Sequence, residues 1–134
     1  MTRNKLARRL ARAERGMTLI EIMVVVAILG MMATVVTITF IRYLEQAKAD
    51  TTKIQIQNMV QALDAYKIQF GSYPSTEQGL QEMATKQIIK SVPKDGWKKD
   101  FEYIRESASK YTLKSYGADG VSGGEGLDKD IFAE

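Results

Sequence analysis

The 20 residues from Ile22 to Ile41 carry no charge. At about 1.5 Å per residue they make roughly 30 Å of helix, the thickness of a bilayer's hydrocarbon core. Charge then enters with Arg42, Glu45, Lys48, Asp50 and Lys53, but neither Pro nor Gly interrupts the stretch from Met31 to Phe70. Ile56, Val60, Leu63, Tyr66 and Phe70 recur at the spacing of one helix face, and Glu45 stands three residues before Lys48, near enough for a pair. The pattern predicts one helix from about Thr18 to Phe70, roughly 80 Å long. Gly30 is of a kind that membrane helices tolerate. Gly71 suits the C′ position and Pro74 prevents resumption.

Beyond that point the periodicity changes. Ser75 with Gln78 makes a capping-box pattern, predicting a short helix that buries Leu80 and Met83. Pro93, Asp95, Gly96 and Trp97 mark a turn-rich connection. "FEYIR" (101–105) and "KYTLKSY" (110–116) alternate as strands do, with Phe101 and Tyr103, and Tyr111 and Leu113, on matching faces. "ESAS" (106–109) is the expected hairpin loop. The fold class is therefore α+β, a long N-terminal helix packed on a small antiparallel β-sheet.

Charge narrows the partners. Formal net charge is +3, but residues 1–16 hold six of the 19 bases and one of the 16 acids, which leaves the rest of the chain at −2. No basic stripe with interleaved aromatics remains, so nucleic acid is not an expected partner. Cysteine and histidine are both missing, which removes zinc sites, thiol catalysis and any Ser-His-Asp arrangement. A small head without disulfides needs another staple, such as oligomerisation or a bound metal.

Two general readings compete for the N-terminus. The apolar run is too long for a secretory signal peptide, and its best small-residue boundary, Gly16, precedes the run. A plain uncleaved anchor fits charge and hydropathy but gains nothing from Glu21, the one acid at the edge of the apolar segment. A carboxylate there is costly in lipid and calls for a partner. Cutting the chain before Met17 would supply one as an amine.

The run "GMTLIE" (Gly16–Glu21) resembles the class III signal of type IV pilins and type II secretion pseudopilins. The resemblance implies cleavage between Gly16 and Met17 by a prepilin peptidase, then N-methylation of Met17; Phe is the commoner residue after the cut. In a helical stack, Glu21 of one subunit would neutralise the terminal amine of a neighbour, setting register more than adding stability. "YPSTEQGL" (73–80), "VPKDGW" (92–97) and "SYGADGVSGGEGLDKDI" (115–131) extend the likeness to the major pseudopilins of type II secretion systems. That family usually shows Pro, then Gly-Asn-Pro, around the Trp. Here Gly96 and Lys98-Lys99-Asp100 stand instead, which predicts a reshaped loop.

Gly117, Gly120, Gly123, Gly124 and Gly126 fall within ten residues, interleaved with Asp119, Glu125, Asp128 and Asp130. Clustered carboxylates repel unless solvent or a hard cation relieves them, and calcium accepts mixed carboxylates and carbonyls. An EF-hand fails, because Val121 and Gly123 occupy its ligand positions. A solvated acidic loop and a calcium loop are equally compatible with the composition. The family resemblance implies Ca2+, with Asp119, Asp128, Asp130 and the backbone carbonyl of Tyr116 as ligands and Glu125 as a further candidate.

The expected organisation is a cleaved leader (1–16), a transmembrane and filament-core segment (17–41) and a periplasmic head (42–134). The head divides into helix 42–70, loop region 71–100, and sheet with calcium loop 101–134. The resemblance implies a non-enzymatic filament subunit in a bacterial inner membrane, single-pass with a cytoplasmic N-terminus, surrounded by lipid before assembly. Its implied partners are further copies of itself, minor pseudopilins, the prepilin peptidase and the inner-membrane secretion platform. Two alternatives are a type IV pilin of a surface fibre and a membrane-anchored calcium-binding module that never polymerises. No nucleophile–base arrangement is legible, and no catalytic residue is assigned.

Overall fold

The computed structural model describes residues 16–133, so of the expected leader only Gly16 falls within it. Helix α1 runs Leu19–Phe70, and the chain divides into two units at Thr39/Phe40.

In the first unit α1 is apolar on every side. Leu19, Ile20, Met23, Val26, Leu29, Met32 and Val36 are all exposed in the isolated chain. The helix is long and apolar enough to cross a membrane. Three hydroxyls in this stretch bond internally: Thr34 Oγ1 to the Gly30 carbonyl (3.1 Å), Thr37 Oγ1 to that of Ala33 (2.8 Å) and Thr39 Oγ1 to that of Val35 (3.1 Å). A hydroxyl satisfied by its own helix can enter hydrocarbon without an orphaned donor.

In the second unit α1 becomes one-sided. Ala49, Thr52, Ile56, Met59, Ala62, Leu63 and Tyr66 are buried, a stripe at helical spacing that extends the sequence-derived one by two turns towards the N-terminus. The helix stops where expected. Gly71 takes φ +82°, and its N–H donates to the Lys67 carbonyl at 2.8 Å.

The capping box at Ser75 forms, with Ser75 N–H to Gln78 Oε1 at 2.9 Å and Gln78 N–H to Ser75 Oγ at 3.2 Å. It closes a turn rather than opening the helix, because Gly79 adopts φ +58° and interrupts the helical path. Helix α2 begins later, at Gln81–Thr85; Leu80 and Met83 are buried as expected.

Strands β1 (Glu102–Ser107) and β2 (Lys110–Ser115) pair antiparallel, Tyr103 opposite Leu113, with an irregularity between Arg105 and Ser107. The hairpin turn is therefore Ala108–Ser109, since Glu106 and Ser107 are still in the strand. A third strand, β3 (Ile131–Phe132), adds to the far side of β2 to give the order β1-β2-β3. Two residues are too few to show alternation, so β3 had no sequence signal.

The core joins the α1 stripe to Tyr73, Leu80, Met83, Phe101, Tyr103 and Leu113. Leu63, Met59, Met83 and Leu113 are essentially inaccessible, and each contributes about 1.5–3 kcal/mol by leaving water. Tyr103 donates its hydroxyl to the Pro74 carbonyl at 2.8 Å, and burial pushes its phenol up to about 12.

Candidate functional site

Two regions carry the sequence-predicted residues, and they are built differently. The first is the start of α1. Gly16 and Met17 are exposed and precede the helix, with nothing within 4 Å of a Cβ placed on Gly16. Thr18 is the N-cap. Its N–H and Oγ1 both donate to Glu21 Oε2, at 2.8 and 3.1 Å, while Glu21 N–H donates to Thr18 Oγ1 at 3.3 Å. This is a capping box, so Glu21 is not an unpartnered carboxylate within the subunit. The T-x-x-E spacing was the available signal, and sequence reasoning passed over it.

The second region is the loop between β2 and β3, residues 116–130. All five of its glycines take positive φ. At Gly124 a side chain would collide with the Asp128 carbonyl, so the loop folds onto itself more tightly than any other residue there permits. Backbone bonds cross it: Ala118 N–H to the Leu127 carbonyl, Asp128 N–H to that of Glu125 and Asp130 N–H to that of Gly123, each at 3.2 Å.

The predicted ligands do not converge. Asp119 is exposed and its Oδ1 accepts from Val121 N–H at 3.0 Å. Asp128 and Glu125 are also exposed. Asp130 is buried; its Oδ1 accepts from Gly123 N–H at 3.1 Å and its Oδ2 lies 3.6 Å from Lys114 Nζ. Among the described residues no three carboxylates gather as a metal-binding group. The donors are chemically right for calcium, and as folded they do not form a cage for it.

What does occupy the loop is Lys99. Its Nζ donates to the Ala118 carbonyl at 2.8 Å and to that of Gly117 at 3.4 Å. Its side chain lies across Gly120, where a Cβ would stand 2.6 Å from Nζ. Lys99 is aimed there by the Asp95–Lys99 turn, in which Asp95 N–H donates to the Lys99 carbonyl at 2.9 Å. Buried Asp95 accepts through Oδ1 from Trp97 N–H (2.9 Å) and Lys99 N–H (2.8 Å), and through Oδ2 from Ser115 Oγ (2.7 Å). Ser115 Oγ in turn accepts from Gly117 N–H at 3.2 Å. One network thus fixes both the turn and the start of the loop.

The turn is also fastened to α1. Gly96 sits directly against the Lys48 carbonyl, where no side chain fits. Its N–H donates to Thr52 Oγ1 at 2.9 Å. Trp97 Nε1 donates to Glu45 Oε2 at 2.7 Å, and Lys48 Nζ holds the other oxygen, Oε1, at 2.7 Å. These two contacts, Lys48 first, hold the Glu45 carboxyl below its ordinary range. Asp95, Ser115 and Lys99 were missed as site residues. The Lys98-Lys99 pair where the family pattern has Gly-Asn was the visible sign.

Residues 39–134 match the family described as Type II secretion system (T2SS), protein G, and residues 11–37 match the prokaryotic N-terminal methylation motif. The type II secretion system core protein G of Vibrio cholerae is 37% identical over 134 residues, covering 90% of this chain and 91% of that one. The Pseudomonas aeruginosa counterpart is also 37% identical, covering 90% and 94%. Among solved structures, the major pseudopilin of the type 2 secretion system of enterohaemorrhagic Escherichia coli superposes with a TM-score of 0.55. It is 27% identical and the match covers 66% of this chain and 87% of that one. The chain belongs to the type II secretion system protein G family, the major pseudopilins.

Proposed function

We propose that this chain is a non-enzymatic building block that polymerises into a periplasmic pseudopilus and so drives folded proteins across the outer membrane. The leader would be removed between Gly16 and Met17 by a prepilin peptidase and the new amine on Met17 methylated. Before assembly the apolar part of α1 would sit in the inner membrane, N-terminus cytoplasmic and head periplasmic. On leaving lipid it must bury its surface against the same segment of other copies. Minor pseudopilins and the inner-membrane platform are the remaining partners of this reading.

The observation that carries it is the start of α1: a stretch apolar all round from Leu19 to Ile41 whose one acid, Glu21, lies a single turn from the expected new terminus. In the free subunit Thr18 satisfies that acid. In a stack the neighbour's charged amine is the stronger partner, because pairing two desolvated charges offsets a cost of several kcal/mol for each left alone. Glu21→Gln separates the two roles. It keeps a capping-box side chain and loses the charge. Membrane insertion at the parent level with filament yield lost is the expected result; filaments at parent yield would refute the reading.

Calcium enters this reading as a ligand the loop must rearrange to hold. Asp119, Asp128, Asp130, the Tyr116 carbonyl and, as a further donor, Glu125 are hard oxygen groups of the kind it takes. They would have to turn towards one another, and the ion would have to contend with Lys99.

A further inference from the structure

We propose that Lys99 is a tethered cation of the glycine-acid loop: its ammonium takes the central position between the Gly117 and Ala118 carbonyls, so the loop is ordered without a metal and a divalent ion can enter only by displacing it.

Three observations support this. The first is contact geometry. Nζ reaches two consecutive carbonyls, at 3.4 and 2.8 Å. Carbonyls aimed at one point from a positive-φ turn are what a cation site of either kind requires; Gly117 has φ +65°. The second is shape. The terminal carbons and nitrogen of Lys99 lie where a Cβ of residue 120 would stand, at 2.6, 3.1 and 3.3 Å for Nζ, Cε and Cδ. The glycine at 120 makes a trough for that side chain. The third is pre-organisation. Lys99 leaves a backbone pinned by Asp95, and Asp95 bonds through Ser115 to the loop's own first turn. The lysine and its acceptors are thus held by one network, which lowers the entropy lost in ordering a long side chain.

The carboxylates agree with this arrangement. Asp119 and Asp130 spend their oxygens on Val121 and Gly123 amides and on Lys114. A calcium ion on the Tyr116 carbonyl would neighbour the two carbonyls that hold the Lys99 ammonium, and like charges at short range repel.

The inference concerns the loop's own order and depends on the calcium reading only for the identity of the competitor, so one experiment separates them. The full chain in detergent micelles is melted in EDTA and in calcium, as the parent, as Lys99→Gln and as Lys99→Arg. Amide exchange of residues 116–130 is followed in each. The parent is expected to melt at the same temperature in both conditions, with the loop protected. Lys99→Gln should melt about 4–8 °C lower in EDTA, the shift that losing one hydrogen bond of ordinary net strength makes in a domain of this size, and should lose protection within 116–130 alone. Lys99→Arg should stay with the parent. Calcium that raises the midpoint of Lys99→Gln and leaves the parent unmoved shows a site that Lys99 blocks; if it raises neither, the tethered cation stands and the calcium reading falls. A parent whose midpoint is lower in EDTA than in calcium, or a Lys99→Gln loop as protected as the parent's, would overturn the proposal, and the parent's response is decisive even if Lys99→Gln fails to fold.

Discussion

Replacing Asp95 tests the network that sets the turn, the loop and the contact with α1 at once. Its carboxylate is buried and accepts three hydrogen bonds, from Trp97 N–H, Lys99 N–H and Ser115 Oγ. Asp95→Ala leaves all three donors without their acceptor. An orphaned donor in a site closed to water costs about 1–3 kcal/mol. Water can reach the half-buried Trp97 and Lys99 backbone more readily than fully buried Ser115, so a total of about 3–5 kcal/mol is expected rather than the full sum. Asp95→Asn behaves differently. One oxygen still serves both amides, and only the Ser115 hydroxyl faces a donor in place of an acceptor, a loss of about 1–2 kcal/mol. Urea unfolding followed by Trp97 fluorescence reads both, because Trp97 sits in the turn under test. An Asp95→Ala variant within about 1 kcal/mol of the parent, or an Asn variant as damaged as the Ala one, would show that the network is decoration on a turn held by other contacts.

Two further perturbations follow. The nearby Tyr116 hydroxyl, and then Lys114, whose Nζ pairs with Oε2 at 3.1 Å, hold the Glu102 carboxyl below its ordinary value of 4.5. A lowered carboxyl stabilises the folded state fully above pH 4.5, and that contribution fades as pH falls through the folded-state value. Melting temperature against pH should therefore drop more steeply on the acid side for the parent than for Glu102→Gln, and parallel curves would rule the pair out as a source of acid sensitivity. At Gly124, φ +81° and the contact of any side chain with the Asp128 carbonyl make Gly124→Ala costly by about 1–3 kcal/mol, measured by the same urea titration; a neutral result would mean the loop can open there at no cost.

The large elements were legible because their signals are long. The 52-residue helix announces itself by a long uncharged run followed by a stripe at 3.6-residue spacing, and Tyr103, Tyr111 and Leu113 lie on one face of β1 and β2 as period-two alternation requires, with Phe101 just ahead of β1. The failures are short or non-local. Strand β3 has two residues. The start of α2 was displaced by Gly79, whose left-handed backbone overrides a well-formed capping box. The loop's acids were read as a common donor set because composition cannot say where each carboxylate points. In the fold Asp119 turns to the amide two residues on, and Asp130 to one seven residues back. Lys99 lies 18 and 19 residues from its acceptors, a separation at which no spacing rule operates.

Glu21 shows how a local contact changes an argument about cost. Viewed as a bare carboxylate at the edge of a 30 Å apolar run, it demands a partner from outside the subunit. Thr18 supplies one from inside, through both its amide and its hydroxyl, so the isolated helix has no unsatisfied acid to drive association. Its contribution to assembly must then be a difference: the free energy of pairing with a neighbour's amine less that of the capping box it gives up. A capping contact is worth about 0.5–2 kcal/mol, whereas leaving one partner of a desolvated ion pair alone costs about 3–5 kcal/mol. The exchange therefore favours assembly only where water has been excluded and the neighbour's amine is free and charged. On the proposed cleavage after Gly16 that amine would appear only once the leader is gone, so an uncleaved chain should keep its capping box and remain unassembled.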